Sequence, residues 1–125
     1  MQPLHDIWIG IRDAMVSWHQ GKLFIEHAVA INHDALHIIV GTLVWLMFAT
    51  LLRRPITSWY PWFWTLAVIM WNETVDLWTE QWPEPGQQYG EGAKDLLLTM
   101  LIPTIMALYM RFVPGLIRAS RNRRG

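Results

Sequence analysis

Between Ala35 and Leu52 the chain is strongly apolar with His37 as its only ionisable group, and the run stops at Arg53-Arg54-Pro55, where two charges and a proline end a helix. No other feature limits the fold as much. At ~1.5 Å per residue such a helix is ~27 Å long, close to the ~30 Å hydrocarbon core of a bilayer. Two further segments read the same way. One runs from about Trp59 to Trp78 and is strongly apolar as far as Trp71, before the polar stretch "NETVD"; the other runs from about Leu96 to Val113, where Pro103 predicts a kink and Arg111 lies near the end. Nine Trp, no Cys and 53% hydrophobic residues in 125 also make the chain too apolar for an ordinary soluble domain. The expected fold is all-α, an integral membrane bundle of three transmembrane helices (about 35–52, 59–78 and 96–113) within residues 32–113. A segment 1–31 precedes it and a basic tail 114–125 follows. Absence of cysteine excludes disulfides, thiolate metal sites and thiol nucleophiles. The N-terminal "MQPLHDIWIG" has neither a basic n-region nor a continuous apolar stretch, so no cleavable signal peptide is expected.

The formal net charge of zero conceals a strong asymmetry. Arg53, Arg54, Arg111, Arg118, Arg121, Arg123 and Arg124 fall in the first loop or at the C-terminal end, with no acid beside them. The preference for Lys and Arg inside puts these ends in the cytoplasm and the N-terminus outside. The other side then holds every acid and every histidine, with only Arg12, Lys22 and Lys94 as fixed cations. In a Gram-negative cell that acidic side faces the periplasm, and the protein resides in the bacterial cytoplasmic (inner) membrane. The "RASRNRR" tail suits anionic lipid headgroups, and no nucleic-acid partner is expected.

Ahead of the first span, Leu4, Trp8, Ile11, Met15 and Trp18 recur at spacings of four and three, the stripe of an amphipathic helix, which Gly21 is expected to end. Its simplest role is an interfacial helix on the outer leaflet; the other is a lid or docking surface over the acidic end. Trp59, Tyr60, Trp62 and Trp64 read as an aromatic belt on the cytoplasmic side. "TEQWPEPGQQYGEG", residues 79–92, reads as a loop joining the second and third spans.

Ionisable groups are costly in lipid, and several lie at the outer helix ends. "INHDALH" is explained by a helix start, with Asn32 as N-cap, Asp34 beside the positive end of the helix dipole, and His33 and His37 at headgroup depth. Glu91 and Asp95 likewise precede or open the third span. Glu73 and Asp76 differ, because they occupy the C-terminal part of a helix, where the dipole disfavours carboxylates. They need compensation, and the groups expected at the same depth are His33, His37, Lys94 and Asp95. A polar cluster shared by three helices follows, with His33, His37, Glu73, Asp76, Glu91 and Asp95 as candidate binding residues.

The elements Asp34-Ala35-Leu36-His37 with Gly41, Asn72-Glu73-Thr74-Val75-Asp76, and Lys94-Asp95-Leu96-Leu97-Leu98-Thr99 resemble, in order and in alternating helix ends, those of the VanZ-like family of small membrane proteins. The resemblance covers roughly residues 33 to 110. Its motifs are short: Asp76 stands where the family more often has Gln, Thr99 where it has Asn, and three spans are fewer than many members show. Some members are linked to glycopeptide-antibiotic tolerance, so the resemblance implies a polar site at the membrane edge rather than a particular reaction.

Two classes of function fit these residues. In the first, His33 and His37 lie one helical turn apart, and "HDALH" differs from H-E-x-x-H by having Asp34 where a general-base Glu would stand. Asp34 and Glu73 are then the candidate catalytic carboxylates. His33, His37, Glu73, Asp76 and Asp95 are the candidate ligands for a divalent metal such as Zn, Mn or Fe. The molecule bound would be a membrane lipid or a lipid-linked envelope precursor. In the second class the chain is a non-catalytic accessory subunit, whose cluster fixes helix register and whose third span offers Thr99, Pro103, Thr104 and Ala107 for packing against a membrane-protein partner or a second copy. Transport requires oligomers, because three short helices enclose no path.

Overall fold

The computed structural model describes residues 2–29 and 31–113. The basic tail lies outside them. The described residues form four helices, α1 (Gln2–Val29), α2 (His33–Leu51), α3 (Trp59–Thr79) and α4 (Pro85–Phe112), and no strand. By length and composition α2 and α4 can cross a membrane; α3, which carries Asn72–Asp76 within it, falls short of that measure.

Local chemistry sets the boundaries. Asn32 caps α2 by accepting the Asp34 amide at 2.9 Å, and Ser58 caps α3 by accepting the Tyr60 amide at 3.3 Å. α2 ends in a Schellman arrangement: Arg53 takes the left-handed conformation at φ 50°, its amide bonds to Thr50 O at 3.1 Å, and that of Arg54 bonds to Ala49 O at 3.0 Å. Two expectations need correction. Gly21 does not end α1, which continues to Val29, and the segment read as a loop already turns helical at Pro85, the first position where proline suits a helix. Only residues 80–84 join α3 to α4. Gln88 closes that corner by donating to the carbonyls of Glu80 at 2.7 Å and Leu77 at 3.3 Å.

α2, α3 and α4 pack on one another, and α1 packs chiefly on α3. Each bundle helix buries an i, i+4 stripe: Gly41, Trp45 and Ala49; Pro61, Thr65, Ile69 and Glu73; Thr99, Pro103 and Ala107. Leu43, Leu51, Phe63, Leu97 and Phe112 point outward and are exposed. The interior mixes small and polar side chains with Trp45, Ile69, Val75 and Met100, while many large apolar side chains remain on the outside, more than a water-soluble bundle exposes.

The closest approach is between α2 and α4. A Cβ on Gly41 would overlap the backbone carbonyl of Thr99. Pro103 explains why that carbonyl is available, since it has no N–H for the oxygen four residues earlier. α4 nevertheless continues through Pro103, and the freed carbonyl lies on the side of Gly41 where a Cβ would stand, an approach that only glycine permits. Farther along, Trp62 donates to Thr104 at 2.9 Å. Trp62 thus also ties α3 to α4, whereas Tyr60 and Trp64 are exposed.

Candidate functional site

A cavity of about 550 Å³ lies where α1 crosses the ends of α2, α3 and α4 that carry the histidines and carboxylates. His33, His37, Glu73, Asp76, Glu91 and Asp95 all line it. The expected convergence of three helices is present in the geometry. Asp34 is not among the lining residues: it turns to Lys94 at 3.2 Å, half exposed, and Lys94 also holds Glu91 at 2.6 Å. Lys94 therefore belongs to this outer pair of carboxylates and does not compensate Glu73 or Asp76, as the sequence suggested.

Compensation for Asp76 comes from α1. The Lys22 ammonium bridges both Asp76 oxygens, and His19 Nδ1 lies 3.0 Å from Oδ1. Asn72 joins from within α3. Its Oδ1 accepts the Trp18 indole N–H at 3.2 Å, which fixes the amide so that Nδ2 donates to Asp76 at 3.2 Å and Glu73 at 3.4 Å. Glu80 approaches the far nitrogen of His19 at 3.6 Å. Rings support the same contact, with Trp8 edge-on to Trp78 at 5.0 Å and Trp18 tilted against Trp71 at 6.0 Å. α1 thus covers the acidic end, while Leu4, Ile7, Ile11 and Phe24 remain exposed on it.

A second group occupies the α2–α4 side. Asp95 Oδ2 lies 3.3 Å from His33 Nε2 and 3.5 Å from His37 Nε2. His33 Nδ1 meets Glu26 Oε1 at 2.6 Å, and His37 Nδ1 meets Thr99 Oγ1 at 2.8 Å. His33 precedes the apolar run that begins at Ala35. Asp95 Oδ1 is buried with no partner among the described residues.

Glu73 stands between the groups. Only 8% of the residue is exposed, its hydrogen-bond donor is Asn72, and Gly92 leaves ordinary contact distance above Oε2. Its isolation at a helix C-terminal end remains, while that of Asp76 is relieved.

His19, Lys22, Glu26 and Glu80 were missed by sequence reasoning. His19, Lys22 and Glu26 follow the i, i+3, i+7 spacing of one helical face, so a polar stripe was legible beside the apolar one. No family model, curated protein or solved structure matches this chain.

Proposed function

We propose that the chain is a VanZ-like, three-span protein of the bacterial cytoplasmic membrane, with its N-terminus outside, and that its cavity binds an amphipathic molecule: a phospholipid or a lipid-linked envelope precursor. One observation carries this reading. The cavity joins the His/carboxylate groups to an apolar wall of Val40, Val44, Val68 and Ile69 on α2 and α3. Val40 and Val68 are also partly exposed on the outer surface, so the apolar part opens sideways, where lipid tails would lie. A headgroup in the polar end and a tail along the valines match that sequence of surfaces. α3 crosses with its partners in this reading: its apolar half lies deep, and Asn72 to Asp76 lie at the outer edge under α1. Of the two candidate catalytic carboxylates, Glu73 lines the cavity and Asp34 does not, so Glu73 is the residue on which function should depend.

Native mass spectrometry of protein released from bilayer nanodiscs tests the reading. The wild type is expected to retain an amphipath of defined mass. Val44→Trp, which fills the groove, and Glu73→Gln are expected to lose it while melting within a few degrees of wild type. A wild-type protein that carries no amphipath but holds a foreign membrane protein in fixed stoichiometry would replace this reading with the accessory-subunit one.

A further inference from the structure

We infer that His33, His37 and Asp95 form a mononuclear site for a divalent borderline metal, with zinc the best fit, facing the cavity. The inference stands on donor geometry and does not depend on lipid binding.

The hydrogen bonds behind each imidazole carry the argument. Thr99 Oγ1 donates to the Asp95 carbonyl at 2.6 Å, so its hydroxyl proton is used and it can only accept from His37 Nδ1. The Glu26 carboxylate likewise can only accept from His33 Nδ1. In its neutral form each ring therefore carries its proton on Nδ1 and presents an Nε2 lone pair, the form a metal ion binds. Both lone pairs meet the same oxygen, Asp95 Oδ2. In those neutral forms three electron-pair donors, all within 4.8 Å of one another, converge on one point.

A cation resolves this arrangement. Bonds of ~2.1 Å in a tetrahedral zinc site place neighbouring ligand atoms ~3.4 Å apart, and the two His–Asp separations are 3.3 and 3.5 Å. Histidine ligands held from behind by a carboxylate or hydroxyl are the usual support of such a site. Asp95 Oδ1 has no hydrogen-bond partner among the described residues, so this carboxylate is under-satisfied and gains from a cation at its other oxygen. Three protein ligands leave the fourth position open toward the cavity.

The same reasoning rejects the other candidates. His19, Asp76 and Glu80 also lie close together, but the Lys22 ammonium already bridges Asp76 and would repel a metal ion. Glu73 does not join either group of ligand atoms. Asp34, the residue between the two histidines, pairs with Lys94 and is not placed to act as a base on a metal-bound water.

Titration of the chelator-stripped, full-length protein in detergent with Co²⁺, followed by visible absorption and by competition with Zn²⁺, tests the site. One equivalent is expected to bind. His33→Gln and Asp95→Asn should abolish binding, Glu26→Ala should weaken it about 10- to 100-fold through lost support of His33, and His19→Gln should leave it unchanged. Melting temperature and elution volume establish folding, and His33→Gln, at the half-exposed rim, provides the test if Asp95→Asn does not fold. No stoichiometric uptake by the wild type, uptake unaffected by His33→Gln, or uptake lost with His19→Gln would each overturn the inference.

Discussion

Lys22 and Lys94 each touch acidic side chains, but in different surroundings. Lys22 bridges Asp76 beneath α1 with both side chains mostly buried, whereas Lys94 meets Asp34 and Glu91 at the rim, with all three side chains 42–50% exposed. An exposed pair contributes little, while removing one partner of a shielded pair leaves the other unsatisfied. Lys22→Met is therefore expected to cost about 1–3 kcal/mol and Lys94→Met less than about 1 kcal/mol in detergent unfolding. Equal costs would show that α1 does not shield Asp76. Asp34→Asn should cost only about 0.3–1 kcal/mol through the helix dipole and leave amphipath and metal retention intact. The anomaly of Glu73 and Asp76 was legible in the sequence, because carboxylates at a helix C-terminal end conflict with its dipole. The polar stripe of His19 and Lys22 was legible too, but not that it meets these carboxylates, because the apolar stripe of that helix suits a membrane surface as well as it suits packing on α3.

Among the elements, α2 and α4 are most tightly coupled, through the contact of Gly41 with the Thr99 carbonyl that Pro103 leaves free. One residue after Gly41 in the i, i+4 stripe is Trp45, and one turn before it is His37, so this contact sets the height at which His37 meets Thr99 and Asp95. Gly41→Ala must push the helices apart. We expect a loss of about 1–3 kcal/mol together with loss of metal binding, whereas Gly86→Ala, with open space around it, should leave both unchanged. A Gly41→Ala protein with wild-type melting would contradict the close approach. Arg53 offers the opposite sign: it adopts a left-handed conformation, so Arg53→Gly is expected to stabilise the C-terminus of α2 by up to about 1 kcal/mol. The stop at Arg53-Arg54-Pro55 and the Asn32 cap were legible from residue type alone. Continuity through Gly21 and the early start of α4 were not, because tertiary contacts around the 80–84 corner and on α3 override local glycine and proline signals. Pro103 was expected to kink α4; its consequence here is the freed carbonyl, which only the position of α2 reveals.

Over the whole molecule, many Leu, Ile, Phe and Trp side chains are exposed, and the interior combines Trp45, Ile69, Val75 and Met100 with Gly, Ala, Thr, Pro and one glutamate. That distribution suits a lipid solvent, and the apolar runs announced it. Helix count was legible less sharply: α2 and α4 have the length and hydropathy of spans, while α3 combines an apolar half with the polar stretch that supplies Asn72, Glu73 and Asp76. Whether α3 crosses decides whether the cavity lies at the outer bilayer edge, the central claim. Thr57 and Gln87 flank α3 on opposite ends and are exposed, and the chain has no native cysteine to confuse labelling. Single cysteines at these positions, treated in intact cells with a membrane-impermeant thiol reagent, give the most direct measurement. Labelling of Gln87→Cys in intact cells, and of Thr57→Cys only after permeabilisation, is the result expected; labelling of both from outside would show that α3 does not cross, and the reverse pattern would place the cavity in the cytoplasm.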